Sequence, residues 1–165
     1  MKSWKNGGLP LRLMAPEEIL EGMRIVLPEP PTPLATYVPV VQSGDLLFLS
    51  GILPLRDGKL SYEGKLGADV AVEEGYEAAK LTAIVALASI KKQLGSLNQV
   101  ARVVRVCGHV ASAPGFTQQP QVVNGASDFL VDVFGDIGRH ARLALGAAEL
   151  PLNSPIELEL IVQAK

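Results

Sequence analysis

Apolar and polar residues alternate in two runs at the C-terminal end of the chain, residues 141–147 and 156–163. Alternation with a period of two is typical of β-strands that pack on a core by one face. Turn residues in segment 150–155, including two prolines, separate the runs. We therefore predict two strands joined as a wide hairpin, with Arg142 across from the Glu157 to Glu159 region. The apolar positions of these strands are Leu143, Leu145, Ala147, Ile156, Leu158, Leu160 and Val162.

Two other segments carry apolar residues at the three- and four-residue spacing of an amphipathic helix. The first extends from Val72 to Leu94 and ends at Gly95, a typical C-terminal stop. The second follows segment 116–124 and ends before Gly135. The predicted apolar face of this second helix consists of Val122, Val123, Ala126, Phe129, Leu130 and Val133.

Three more strands complete the prediction, at residues 37–42, 46–51 and 100–113. The first two are joined by Ser43-Gly44-Asp45, a connection of hairpin length. The order is then β-β-α-β-α-β-β. Both helices can cover one face of a mixed sheet, which predicts a two-layer α+β domain.

The N-terminal part of the chain differs from the rest. Residues 15–22 predict a helix of one or two turns, with proline at its first position. Four prolines among residues 28–33 predict an extended linker along the surface. We divide the chain into an N-terminal extension, residues 1–35, and one domain, residues 36–165. The extension is either an interface arm or a partial lid.

Composition narrows the functional classes. The 165 residues are 48% hydrophobic, with a formal net charge of −2 and no basic tract that would follow a nucleic-acid backbone. A single cysteine, Cys107, permits no intramolecular disulfide and no thiolate-rich metal site. Apolar runs are shorter than the roughly 20 residues of a membrane span, and we see no signal peptide. We expect a cytoplasmic protein without membrane or nucleic-acid partners.

Two stretches together resemble the Rid (YjgF) family. The first is Ala141 to Pro151 followed by Ile156-Glu-Leu-Glu-Leu-Ile161, similar to the family's closing arginine strand, Leu-Pro turn and glutamate strand. The second is segment 37–54, which contains Tyr-Val, Gly-Asp-Leu-Leu and Ser-Gly-Ile-Leu-Pro. The resemblance covers roughly residues 36 to 163. It implies a chorismate-mutase-like fold and a homotrimer, and the trimer would also hide the second, apolar face of the sheet.

In this family, reactive 2-imino and enamine acids are hydrolysed to 2-keto acids and ammonia without a cofactor or metal. The resemblance implies that Arg142 holds the substrate carboxylate, a task for which the planar guanidinium fork is suited. Small Ala144 and Gly146 would leave room beside it. An ion pair between Arg142 and a strand glutamate is the alternative explanation.

The remaining site residues also follow from the resemblance. Glu157 would position the attacking water, although it also fits a solvated strand face. Tyr37 and the backbone N–H of Gly51 would supply hydrogen bonds, although Tyr37 also fits a half-buried strand aromatic. Asn124 matches a substrate-site asparagine at the start of the second helix, where a helix cap is an equally simple explanation.

Several positions depart from the family pattern. Ile52 stands where many members have glutamine, Ala144 where many have cysteine, and His140 where proline is usual. These departures suggest a divergent subgroup. They favour a second hypothesis, a protein of the same fold that binds a small carboxylate or keto acid without turnover. A third hypothesis, ribonuclease activity, conflicts with a pI near 5.7.

Cys107 and His109 have the residue types of a nucleophile and its base. They lie two residues apart on one predicted strand, so they share a face without the inward geometry of a dyad. No third, orienting residue is indicated. We therefore assign this pair no catalytic role from sequence.

Overall fold

Two long helices and a five-stranded sheet dominate the computed structural model, which describes residues 14–30, 32 and 36–165. The helices are α1 Pro16–Gly22, α2 Val72–Leu94 and α3 Gln119–Phe134, and the strands are β1 Val40–Ser43, β2 Leu46–Leu49, β3 Leu55–Arg56, β4 Lys59–Leu60, β5 Val100–Ala111, β6 Ala141–Ala147 and β7 Ile156–Ala164. Short 3-10 turns occupy Leu97–Gln99, Gly135–Gly138 and Pro151–Asn153.

The large sheet has the strand order β1-β2-β7-β5-β6, and β3 pairs with β4 in a separate hairpin. Only β5 and β6 run parallel within the large sheet; its other neighbours are antiparallel. The predicted hairpin of β6 and β7 is therefore wrong, because β5 lies between them. Helix α3 connects β5 to β6 as a crossover, which parallel strands require. The chain then passes to the far side of β5 before β7 begins.

The core lies between one face of this sheet and helices α2 and α3. Every second residue of β7 from Ile156 to Val162 is fully buried there, as the alternation predicted. On β5, a side chain at Gly108 would meet Val123 of α3. Close helix packing depends on Gly125, since a Cβ there would overlap the backbone carbonyl of Tyr76 in α2. The two-layer α+β architecture is thus confirmed.

No described helix covers the other face of the sheet, which we call the open face. Large apolar side chains are exposed on it: Val41 is 53% exposed, Phe48 41%, Leu143 44% and Leu145 44%. Register places Phe48 beside Ile161 of β7, so the apolar surface continues across several strands. Such a surface is typical of an interface.

Helix α1 packs on the domain through buried Ile19 and Leu20. Its Glu17 accepts a hydrogen bond from the Leu97 N–H at 3.1 Å, and this bond lowers the pKa of the carboxyl despite partial burial. Residues 1–13 of the N-terminal extension lie outside the described residues, and the proline-rich segment is described only at residues 28–30 and 32. Within the described part of the chain, no helix is both long and apolar enough to cross a membrane.

Candidate functional site

Arg142 lies on the helix-covered face of edge strand β6. Its register partner on β5 is Val106, a fully buried core residue. The side chain therefore reaches α3, where Nη1 donates to Asn124 Oδ1 at 2.7 Å and to Ser127 Oγ at 3.2 Å. Both N–H groups of Nη1 are thus occupied. The fork formed by Nε and Nη2 has no hydrogen-bond partner among the described residues and is free to hold a carboxylate.

A hydrogen-bonded chain continues behind Ser127. His140 Nδ1 lies 2.7 Å from the Gly138 carbonyl oxygen and Nε2 lies 3.0 Å from Ser127 Oγ. A carbonyl only accepts, so Nδ1 carries the proton and Nε2 of the neutral ring accepts from the Ser127 hydroxyl. Burial lowers the pKa of His140, and the nearby Arg142 charge adds to this effect, although the bond to Gly138 opposes it. Because the Ser127 hydroxyl donates its hydrogen to the neutral ring, a lone pair of Ser127 Oγ is left to accept the hydrogen bond from Arg142.

Asn124 lies inside α3, which begins at Gln119, so the helix-cap explanation is wrong. Its side chain instead fixes the guanidinium of Arg142. We call Arg142, Asn124, Ser127 and His140 the anchor half-site. Sequence analysis missed the roles of Ser127 and His140, because a helix serine and a residue preceding a strand carry no signal without the contact between them.

Glu157 lies on the open face, near the start of β7, directly across from His109 of β5. It is half-buried, and a Cβ added at Gly51 would overlap Glu157 Oε1. The carboxylate thus lies over Gly51 because glycine has no side chain. Burial raises the pKa of Glu157, and the charge of His109 partly offsets this.

Gly51 also lines a small cavity of about 130 Å³ together with Tyr37, Ser50, Ile52 and Leu152. Tyr37 is 54% exposed, so the explanation of a half-buried strand aromatic does not hold. The Gly51 N–H donates to no described residue. We call Glu157, Gly51, Tyr37 and His109 the carboxylate half-site.

The two half-sites lie on opposite faces of the sheet. Arg142 shares its face with Val106, whereas Glu157 shares its face with His109, and β5 separates β6 from β7. The predicted position of Arg142 across from Glu157 is therefore wrong within one chain. One chain cannot bring both side chains to the same small ligand.

Cys107 and His109 share the open face, as their spacing predicted, but they are also in contact. Cys107 Sγ lies 3.5 Å from His109 Nε2. The cysteine is only 5% exposed. Sequence alone did not predict this contact, which requires a particular rotamer at both positions.

A larger cavity of about 760 Å³ lies elsewhere, between α1, residues 24–30 and the end of α2. None of the candidate site residues lines it. Size alone therefore does not identify it as a ligand site. Across the described ranges 14–30, 32 and 36–165, no three His, Cys, Asp or Glu side chains are grouped to hold a metal ion.

A mixed sheet covered by two helices on one face, with an arginine on its edge strand and a glutamate on its open face, defines a chorismate-mutase-like α+β protein. Residues 17–163 match the family described as "YjgF/chorismate mutase-like, putative endoribonuclease". The chain belongs to this family.

Several known proteins are similar to this chain over nearly the whole length of the domain. Protein TCP17 of Trypanosoma cruzi is 41% identical over 145 residues, which are 87% of this chain and 91% of that protein. The crystal structure of Atu1372, a protein of unknown function from Agrobacterium tumefaciens, has a TM-score of 0.86 at 42% identity, covering 91% of this chain and 92% of that one. A "putative endoribonuclease" from Shewanella oneidensis MR-1 has a TM-score of 0.88 at 35% identity, covering 91% and 99%.

Proposed function

We propose that this protein is a Rid-like hydrolase of the cytoplasm. It converts reactive 2-imino and enamine acids to 2-keto acids and ammonia, without a cofactor, at sites between subunits of a homotrimer. The observation that carries the proposal is the pair of complementary half-sites. One offers a free guanidinium fork fixed by α3, and the other offers a half-buried carboxylate over a glycine.

Separation of the half-sites supports an assembly. A neighbouring copy that presents its β6 edge to the carboxylate half-site would bring its Arg142 to Glu157. Such contacts join different surfaces of the two copies, and they close into a ring when the rotation between copies permits it. That the ring contains three subunits is taken from the resemblance to the Rid family. The exposed apolar side chains of the open face, Phe48, Leu143 and Leu145 among them, would be covered in the process.

The chemistry follows from the two functional groups. Arg142 binds the carboxylate of the imino acid through two parallel hydrogen bonds. The Glu157 carboxylate removes a proton from water, whose oxygen adds to the carbon of the protonated imine. In the resulting carbinolamine the nitrogen gains a proton and the hydroxyl group loses one, so the C–N bond breaks to release ammonia and the oxygen becomes the carbonyl of the keto acid. Gly51 N–H and the Tyr37 hydroxyl donate hydrogen bonds to substrate or water.

The test is release of ammonia or keto acid from freshly generated 2-aminoacrylate, with and without the protein. Glu157→Gln should remove turnover and leave the affinity for 2-ketobutyrate nearly unchanged, because only activation of water is lost. Glu159→Gln is the matched control, since Glu159 lies on the same strand face and is exposed. Wild-type protein that releases product no faster than buffer would overturn the proposal.

Assembly is tested by sedimentation or light scattering. Three times the chain mass of 17.5 kDa is expected. A species of one chain mass contradicts the shared site, because the half-sites then never meet.

A carboxylate-binding protein without turnover is the second candidate. The departures at Ile52 and Ala144 favour it, and it predicts binding of 2-ketobutyrate by a wild-type protein that releases no ammonia. The word endoribonuclease in the family description and in the Shewanella neighbour suggests RNA as a third. A net charge of −2 and a sequence pI near 5.7 weigh against that substrate.

A further inference from the structure

His109 is the nearest titratable neighbour of Glu157 across the strands. The two residues are direct register partners in antiparallel β5 and β7. Side chains in this relation point to the same face, with Cβ atoms about 4.5–5.5 Å apart. The carboxylate and the imidazole can therefore approach the same small molecule.

The orientation of the His109 ring leaves one nitrogen available. Nε2 lies 3.5 Å from Cys107 Sγ, whereas no described residue forms a hydrogen bond with Nδ1. The ring is half-buried, so water or a ligand can reach it. Contact with the cysteine holds the imidazole in place, and Nδ1 is the atom free to exchange a proton.

Other groups around His109 fit a proton-transfer role less well. On this face of β5, Cys107 and Ala111 flank His109, and Arg105 lies beyond Cys107. Glu157 and Glu159 face it from β7, while β6 presents only alanines and leucines to this face. Cys107 is 5% exposed and so is not accessible to substrate. Glu159 pairs with Cys107 rather than His109 and is exposed to solvent.

Hydrolysis of an imine needs two proton movements. Water must lose a proton as it attacks, and the amine nitrogen must gain one before it leaves. A carboxylate suits the first step, and an imidazolium, which can donate a ring proton, suits the second. Two titratable groups with different environments on one face are a common arrangement for an acid and a base.

We propose that His109 is a second catalytic residue, which donates a proton from Nδ1 to the departing amine nitrogen. This inference rests on the proposed hydrolase function. Glu157 takes a proton from water as the C–O bond forms to the carbon of the protonated imine, which gives a neutral carbinolamine. The imidazolium then protonates the nitrogen of the carbinolamine, the C–N bond breaks to release ammonia, and the neutral imidazole takes the proton of the new carbonyl oxygen. Glu157 returns its proton to solvent, or to ammonia as ammonium.

The test is the pH dependence of 2-aminoacrylate hydrolysis by the intact protein. The wild type should show an acid limb from Glu157 and a basic limb from His109, because the acid must be protonated and the base ionised. His109→Gln keeps hydrogen bonding but cannot ionise. It should lower kcat by about 100-fold or more, leave KM within about threefold, and lose the basic limb. Arg102→Gln, an exposed change on the same strand, should match the wild type.

Binding of 2-ketobutyrate and the assembly mass show whether the His109→Gln protein is folded, and His109→Asn replaces it where it is not. An active wild type that lacks a basic limb, or a variant with wild-type kcat and pH profile, overturns this inference and leaves the hydrolase proposal intact. A wild type without turnover overturns both.

Discussion

Replacing Arg142 by lysine is the sharpest test of the anchor half-site. The arginine presents five N–H groups, of which the two on Nη1 already bond to Asn124 and Ser127. Three remain, on Nε and Nη2, and two of them point in parallel as a carboxylate requires. A lysine ammonium has three N–H groups. If it keeps both bonds to α3, one N–H is left for the ligand.

The expected loss is therefore one charge-assisted hydrogen bond. Such a bond is worth about 1.5–3 kcal/mol, and each 1.4 kcal/mol corresponds to a factor of ten in affinity. The Kd for 2-ketobutyrate should rise roughly 10- to 100-fold in Arg142→Lys. Folding stability should change little, because the bonds to Asn124 and Ser127 can persist. Titration calorimetry gives the first quantity and thermal unfolding the second.

Arg102→Lys is the matched control. It makes the same substitution at an exposed position of β5 and should leave affinity unchanged. Should Arg142→Lys bind 2-ketobutyrate as tightly as the wild type, the carboxylate does not lie on this guanidinium. The hydrolase and the binding-protein proposals would then lose their common residue.

Three further perturbations address other parts of the molecule. Gly51→Ala places a methyl group where Glu157 Oε1 lies, so the turnover rate should fall at least tenfold; a wild-type rate would place the reactive carboxylate elsewhere. His140 has a lowered pKa, so between that value and 6.5 the unfolded chain binds more protons and stability rises with pH. Urea unfolding of His140→Gln should lack this rise, and an unchanged slope would contradict the buried neutral ring. Deletion of residues 1–14 should leave far-UV circular dichroism and assembly mass unchanged, and an insoluble product would count against it.

Periodicity predicted the elements well because it reports which face a residue occupies. The core face of β7 and the full length of α2, from Val72 to Leu94, follow directly from apolar spacing. Alternation on β6 was also correct in placing Arg142 on the face of Ala144 and Gly146. Periodicity does not report which strand lies next to which. The insertion of β5 between β6 and β7 depends on the crossover through α3, which no local pattern encodes.

The candidate site shows the same limit. Arg142 and Glu157 were found by resemblance, and structure adds what surrounds each of them. Ser127 and His140 orient the guanidinium through contacts 13 to 15 residues apart in sequence. The His109 ring became a candidate only when register placed it opposite Glu157. These relations depend on packing between elements, so the sequence could not supply them.

The family departures can now be weighed by where their side chains lie. Ile52 pairs with Leu158 through two backbone hydrogen bonds of 2.9 Å and is 6% exposed, so its side chain belongs to the core face. The neighbouring Gly51, on the opposite face, retains its N–H and its contact with Glu157. Ala144 likewise lies opposite Gly108 and packs against the core.

Neither departure removes a group that binds the carboxylate or activates water. Isoleucine at position 52 alters the core volume beneath the sheet, and alanine at position 144 leaves space on the face of Arg142, whereas the water is activated above Glu157. Their weight in favour of a binding protein without turnover is therefore smaller than the sequence suggested. Whether the protein is an enzyme or a binding protein therefore depends on the Glu157 carboxylate and on the His109 imidazole that faces it across the strands.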